Sequence, residues 1–171
     1  MSTSILVAYA TKSGSTEEAA EAVAAELRQS GLAVELKPLR DVQTLTNYHA
    51  VIVGAPLYMF RWHKDAKRFL TRHRAALSER PVAVFALGPI NDKEEEWQGA
   101  REQLAKELAP FDWFNPIATT IFGGRFDPAT LRFPFTWIPA LKKLPASDIR
   151  DWEAIRAWAN GLAEQLQPVM A

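Results

Sequence analysis

Ile5-Leu-Val-Ala-Tyr-Ala-Thr11-Lys-Ser-Gly-Ser-Thr16 is an apolar run that stops in hydroxyl residues around one glycine and then enters a helix. A buried strand of this kind delivers the following loop to the edge of a sheet. Thr11, Ser13, Ser15 and Thr16 each carry a rotatable O–H donor, Gly14 permits a bend that a Cβ would block, and the amides opening the next helix point at an anion. Together these groups suit a terminal phosphate monoester, and so a phosphorylated cofactor. The chain has no G-x-x-x-x-G-K-S/T and no G-x-G-x-x-G, so neither a nucleoside triphosphatase loop nor the dinucleotide fingerprint is present. A competing expectation is a helix start capped by Ser15, with Glu18 completing a capping box. Capping uses one hydroxyl, whereas four flank this glycine.

Outward from this stretch, strands alternate with helices. Ser4–Ala10 reads as a buried strand and Thr16–Ser30 as a helix with Ala20, Val23, Ala24 and Leu27 on one face, ended by Gly31. Ala33–Pro38 reads as a strand nearer an edge, and Ala50–Gly54 as a short buried strand. Ala66, Phe69, Leu70, His73 and Leu77 mark one side of a helix from about His63 to Ser78. Pro81–Leu87 is a fourth strand, Glu94–Leu108 a helix, Pro116–Phe122 a fifth strand, and Asp151–Leu166 a last helix striped by Trp152, Ile155, Ala159, Leu162 and Leu166. Alternation of this kind predicts an α/β fold, a parallel sheet with helices on both faces, in one domain over residues 1–171.

Composition agrees with a packed domain. The 171 residues are 48% hydrophobic and 11% aromatic, which argues against disorder. The absence of cysteine excludes disulfides, thiolate iron–sulfur ligation and a thiol nucleophile. Apolar runs such as Ile5 to Ala10 fall far short of the roughly 20 residues that span a bilayer. Nothing before Ser4 resembles a signal peptide, since the first strand begins almost at once, and none is expected. The expected location is the cytoplasm, with peripheral contact at the inner face of the membrane as an option.

Thr11-Lys-Ser-Gly-Ser-Thr16 after a first strand resembles the phosphate loop of flavodoxins, T-x-S/T-G-x-T, which holds FMN in that family. The resemblance implies a doubly wound five-stranded parallel sheet of order 2-1-3-4-5, with FMN at the switch point outside the carboxyl ends of the strands; flavodoxins are themselves a standard instance of that rule. It implies that Thr11, Lys12, Ser13, Gly14, Ser15 and Thr16 grip the phosphate. Two further loops then meet the ring. In Gly54-Ala-Pro-Leu-Tyr-Met-Phe-Arg-Trp62, the residues Pro56, Leu57, Tyr58, Met59 and Phe60 run along the isoalloxazine, with Tyr58 the stacking candidate. This loop is apolar where an exposed turn carries Asn, Asp or Ser. A flat ring accounts for that, and so, for Met59, Phe60 and Trp62, does a plug at the sheet end or a dimer contact. Gly88, Pro89, Ile90 and Asn91 supply backbone groups to the pyrimidine edge.

Charge separates this chain from a small acidic electron carrier, since 20 basic residues balance 20 acidic ones. Arg61, His63, Lys64, Lys67, Arg68, Arg72, His73 and Arg74 crowd the stretch after the second loop, as a solvated helix face or an anion-docking surface. Gly123 to Arg150 is far longer than an ordinary connection and holds four prolines, with Phe126, Phe133, Phe135 and Trp137 among Arg125, Arg132, Lys142 and Lys143. It reads as a lid, a homodimer contact or, through Leu131–Leu144, a membrane-surface element.

Lys12, this insertion and the Asp151-Trp-Glu-Ala-Ile155 helix start together resemble the flavodoxin-like protoporphyrinogen oxidases, quinone-linked dehydrogenases. That branch implies transfer of electrons from a reduced substrate to the flavin and on to a quinone. Arg61, His63 and Arg125 are the substrate candidates, and no catalytic acid or base and no metal is assigned. An electron carrier that serves a protein partner and has no substrate is the other class. No nucleic-acid partner is expected.

Overall fold

The computed structural model of the chain describes residues 4–11, 14–58, 61–126 and 146–167, with the backbone alone at 58. In chain order the elements are β1 (Ser4–Tyr9), α1 (Ser15–Gln29), β2 (Ala33–Pro38), a 3-10 turn (Leu39–Asp41), β3 (Tyr48–Tyr58), β4 (Arg61–Trp62), α2 (Lys64–Arg72), α3 (Arg74–Ser78), β5 (Val82–Leu87), α4 (Glu94–Leu108), β6 (Ala118–Phe122), β7 (Arg125–Phe126), β8 (Ser147–Asp148) and α5 (Trp152–Gln165). The five long strands are parallel and lie in the order β2-β1-β3-β5-β6, which is the expected 2-1-3-4-5.

Successive residues of the central strands point to opposite faces, and both faces are buried. Ile5 and Val7 of β1, Ile52 of β3 and Phe85 of β5 pack under α1 and α5, against Val23, Leu27, Ile155 and Leu162. Leu6, Ala8, Val51, Val53 and Val84 pack on the other face, against Trp62, Ala66, Leu70, Leu77 and Leu104. A strand covered on both sides has no polar alternation, which is why β1 and β5 read as unbroken apolar runs. β2, paired only with β1, is partly exposed, as an edge strand should be.

Two expectations are corrected. The strand expected at Ala50–Gly54 runs on to Tyr58, because Ala55 and Pro56 still pair with Ala86 and Leu87 of β5. Leu57 and Tyr58 then pair antiparallel with Trp62 and Arg61, so the expected loop is mostly a hairpin arm. Pro56 lacks an N–H, yet its carbonyl accepts from His63 N at 3.1 Å. The single helix expected from His63 to Ser78 is divided at His73, whose φ of −107° and ψ of 23° depart from helical values. The apolar stripe survives the division, with Ala66, Phe69, Leu70, His73 and Leu77 all buried. Residues 127–145, including the aromatic–basic part of the insertion, lie outside the described residues. The insertion's two ends, β7 and β8, pair antiparallel.

His73 is buried, its Nε2 has no partner among the described residues, and its ring lies 4.6 Å from that of Phe69. Burial, and then the neighbouring charge of Arg72, hold its pKa below the ordinary histidine value, against the backbone of Val42. The unfolded chain therefore takes up this proton first as pH falls, near the ordinary value of about 6.5, and native stability declines from there toward the lower folded pKa. Urea unfolding between about pH 7.5 and 5.5 should show this loss in the wild type and a smaller one in His73→Leu. Equal slopes in the two proteins would refute it.

Candidate cofactor site

β1 leaves the sheet with Ala10 N donating to Gly54 O at 2.9 Å, and the chain turns at once into α1. Gly14 makes that turn with a φ of +91°, a left-handed value that favours glycine. Thr11 Oγ1 accepts from Gly14 N at 2.8 Å and closes the turn. A hydroxyl that accepts one bond keeps its own hydrogen to donate elsewhere. The capping box does not form: Gly14 is the N-cap, Ser15 is the first helical residue, and among the described residues no side chain caps α1. Thr16 is fully buried and its Oγ1 has no partner among the described residues. Lys12 and Ser13 lie outside the described residues. An uncapped helix start beside an orphaned buried hydroxyl fits a bound oxyanion.

The first turn of α1 is also acidic, and both acids are engaged. Glu17 accepts from the Tyr9 hydroxyl at 2.9 Å; burial, and then Glu17, push the Tyr9 pKa up to about 12. Glu18 lies 3.6 Å from the Nη1 of both Arg125 and Arg150. Arg150 was not marked by sequence reasoning. Its side chain is 5% exposed, donates from Nε and Nη2 to the two carboxylate oxygens of Asp148 at 2.9 and 2.7 Å, and donates from Nη1 to Ser15 O at 3.3 Å. Its guanidinium lies 4.8 Å from the Trp152 ring centroid. Arg150 holds the Asp148 carboxyl below the usual carboxylate range, and Asp148 raises the arginine in turn. Asp151 caps α5 by accepting from Ala154 N at 3.0 Å.

At the second loop, Trp62 is buried in the core and donates from Nε1 to Ala55 O at 3.1 Å. Pro56 is buried, Leu57 is half-buried, and Met59 and Phe60 lie outside the described residues, as does the Tyr58 side chain. Arg61 is exposed on β4. His63 caps α2, its Nδ1 accepting from Asp65 N at 3.0 Å. Thus Arg61 faces solvent at the hairpin, whereas His63 and Arg125 each have a protein neighbour.

The third loop is tied to β6 and the segment after it. Gly88 N donates to Phe122 O at 3.0 Å, Gly124 N to Pro89 O at 2.7 Å, and Ile149 N to Gly124 O at 3.1 Å. A Cβ at Gly123 would stand 2.3 Å from Ile149 O, so only glycine permits the two ends of the insertion to approach this closely. Pro89 is buried, Ile90 and Asn91 are half-buried, and Asn91 Oδ1 accepts from Lys93 N at 3.2 Å. The glycine turn before α1, the hairpin and the third loop all follow the carboxyl ends of neighbouring strands, β1, β3 and β5.

A family model described as a flavodoxin domain matches residues 6–135. The chain belongs to the flavodoxin family. Among curated proteins it is 22% identical to protoporphyrinogen IX dehydrogenase (quinone) of Escherichia coli strain K12, over 92% of this chain and 93% of that one. Among solved structures it resembles oxidised flavodoxin 2 from Bacillus cereus, with a TM-score of 0.62 and 21% identity over 95% of this chain and 99% of that one. Rubredoxin oxygen:oxidoreductase of Desulfovibrio gigas matches with a TM-score of 0.61 and 18% identity, over 96% of this chain and 36% of that one. These structural likenesses establish the flavodoxin-like fold.

No helix of the described residues is long and apolar enough to cross a membrane.

The unpartnered Thr16 hydroxyl has a consequence in the flavin-free protein. Thr16→Val keeps the shape and removes the buried orphan, so urea unfolding without flavin should show stability unchanged or raised by up to about 1 kcal/mol. A clear loss of stability would mean that the hydroxyl is satisfied within the protein.

Proposed function

We propose that this flavodoxin-family chain is an FMN-dependent oxidoreductase that takes electrons from a porphyrinogen-like organic substrate and passes them to a quinone. The observation that carries the reading is the start of α1, where, among the described residues, Thr16 Oγ1 is buried without a partner and no side chain caps the helix. A phosphate monoester provides the acceptors that these donors lack. FMN, when bound, supplies the redox chemistry.

The residues of the chain hold and shield that group. Thr11, Lys12, Ser13, Gly14, Ser15 and Thr16 hold the phosphate. Pro56, Leu57, Tyr58, Met59 and Phe60 line the ring, with Tyr58 stacked on it, and Gly88, Pro89, Ile90 and Asn91 offer backbone groups to the pyrimidine edge. With Gly88 N–H and Pro89 C=O engaged inside the protein, Ile90 and Asn91 carry most of that role. Arg61, exposed at the hairpin, is the leading substrate contact. His63 and Arg125 are secondary to it, because one caps α2 and the other lies beside Glu18. The proposal takes the whole chain as one domain, with the insertion at 123–150 serving as a lid, a homodimer contact or a membrane-surface element.

Similarity to the dehydrogenase over nearly the full length supports an enzyme, as does the balance of charge. The second reading is a carrier that exchanges electrons with a protein partner. It is favoured by solved neighbours that are flavodoxins, such as the one from Bacillus cereus.

Purified protein should show absorbance bands near about 370 and 450 nm, or acquire them on titration with FMN. Turnover of protoporphyrinogen with menaquinone is then expected. A yellow protein that is inert toward that pair, yet reduced by a flavodoxin reductase, would favour the carrier. Colourless protein that ignores added FMN would end both readings.

A further inference from the structure

We propose that Arg150 is a positioning residue for the cofactor's phosphate, which makes the protein select FMN over unphosphorylated riboflavin. The inference rests on the flavin reading above and goes beyond it, since Arg150 lies 135 residues away in the chain from the loop it serves.

The first turn of α1 poses an electrostatic problem. A helix start favours an anion, but Glu17 and Glu18 already occupy this one, and a phosphate dianion beside two free carboxylates is repelled. Both carboxylates are engaged by protein donors. Glu17 accepts from Tyr9, and Glu18 lies 3.6 Å from Arg150 and from Arg125. Arg150 is the buried member of this cluster, 5% exposed against 38% for Arg125, so its charge is the less screened by water.

Arg150 also acts on the backbone. Its Nη1 donates to Ser15 O at 3.3 Å, and that carbonyl shares a planar peptide with Thr16 N–H. Gripping the carbonyl from the helix side fixes the plane and leaves the N–H directed toward the helix start, where nothing inside the helix can satisfy it. Asp148, holding the guanidinium through both oxygens, and Trp152, beneath its plane, fix where the fork lies. Donation to Ser15 O orders the peptide, and proximity to Glu18 offsets its charge. Both effects favour a phosphate and are indifferent to the flavin ring.

Dissociation constants for FMN and riboflavin, measured by quenching of flavin fluorescence, test this. Wild type should bind FMN more tightly than riboflavin. Arg150→Ala should weaken FMN about tenfold or more while leaving riboflavin unchanged. Asp148→Asn, which retains the guanidinium but loosens its hold, should shift the same ratio in the same direction and serves if Arg150→Ala does not fold. An unchanged ratio, or equal weakening of both ligands, would overturn the inference while leaving the flavin reading intact. A wild type that binds neither flavin overturns that reading, and this inference with it.

Discussion

A helix that begins at the carboxyl edge of a parallel sheet arrives with backbone N–H groups that nothing within the helix can satisfy. Among the described residues the usual remedy is absent: Gly14 stands at the N-cap, and the Ser15 hydroxyl belongs to a residue already inside the helix. The rest of the site is arranged around that deficit. Tyr9 and Arg150 engage the first-turn acids, and Thr11 accepts from Gly14 N in the turn that precedes it. The buried hydroxyl of Thr16 adds one more unmet donor. Such a cluster costs stability, and an oxyanion would supply the acceptors it lacks.

Legibility in the sequence followed the range of the interactions. β2 and α4 lie at the residues expected, Ala33–Pro38 and Glu94–Leu108, because local pattern and bounding residues agree. β1 and β5 were legible because burial on both faces leaves only apolar side chains. The length of β3 was hidden by Pro56, which brings no N–H to a strand ladder. Its place in the sheet depends on pairing with Ala86 and Leu87 in a different strand. The division at His73 leaves the apolar stripe intact, so periodicity gave no sign of it.

The site shows the same dependence on range. The glycine turn before α1 was readable because Thr11, Gly14, Ser15 and Thr16 lie close in sequence, and the engagement of Glu17 by Tyr9 was not, although only eight positions separate them. Arg150 was invisible for a stronger reason. An arginine between Asp148 and Asp151 looks like a solvated charge run, and only the fold brings it to Ser15. Trp62 went the other way: in the sequence it is one aromatic of an apolar loop, but its indole N–H has found Ala55 O and its ring has joined the core. The apolar character of that loop is therefore partly a packing requirement.

The contact between Arg150 and Ser15 also bears on how the molecule assembles. β1 occupies an interior position in the sheet, flanked by β2 and β3, so the residues up to 58 can build its middle as they leave the ribosome. The opening turn of α1 is thus made early, but α5, which packs along α1, and the arginine just ahead of it are translated last among these pieces. Nascent chains that have formed the central strands still wait for the segment around residue 150 before that turn acquires its arginine. Vectorial synthesis thereby delays the finished cradle until the far end of the domain has docked.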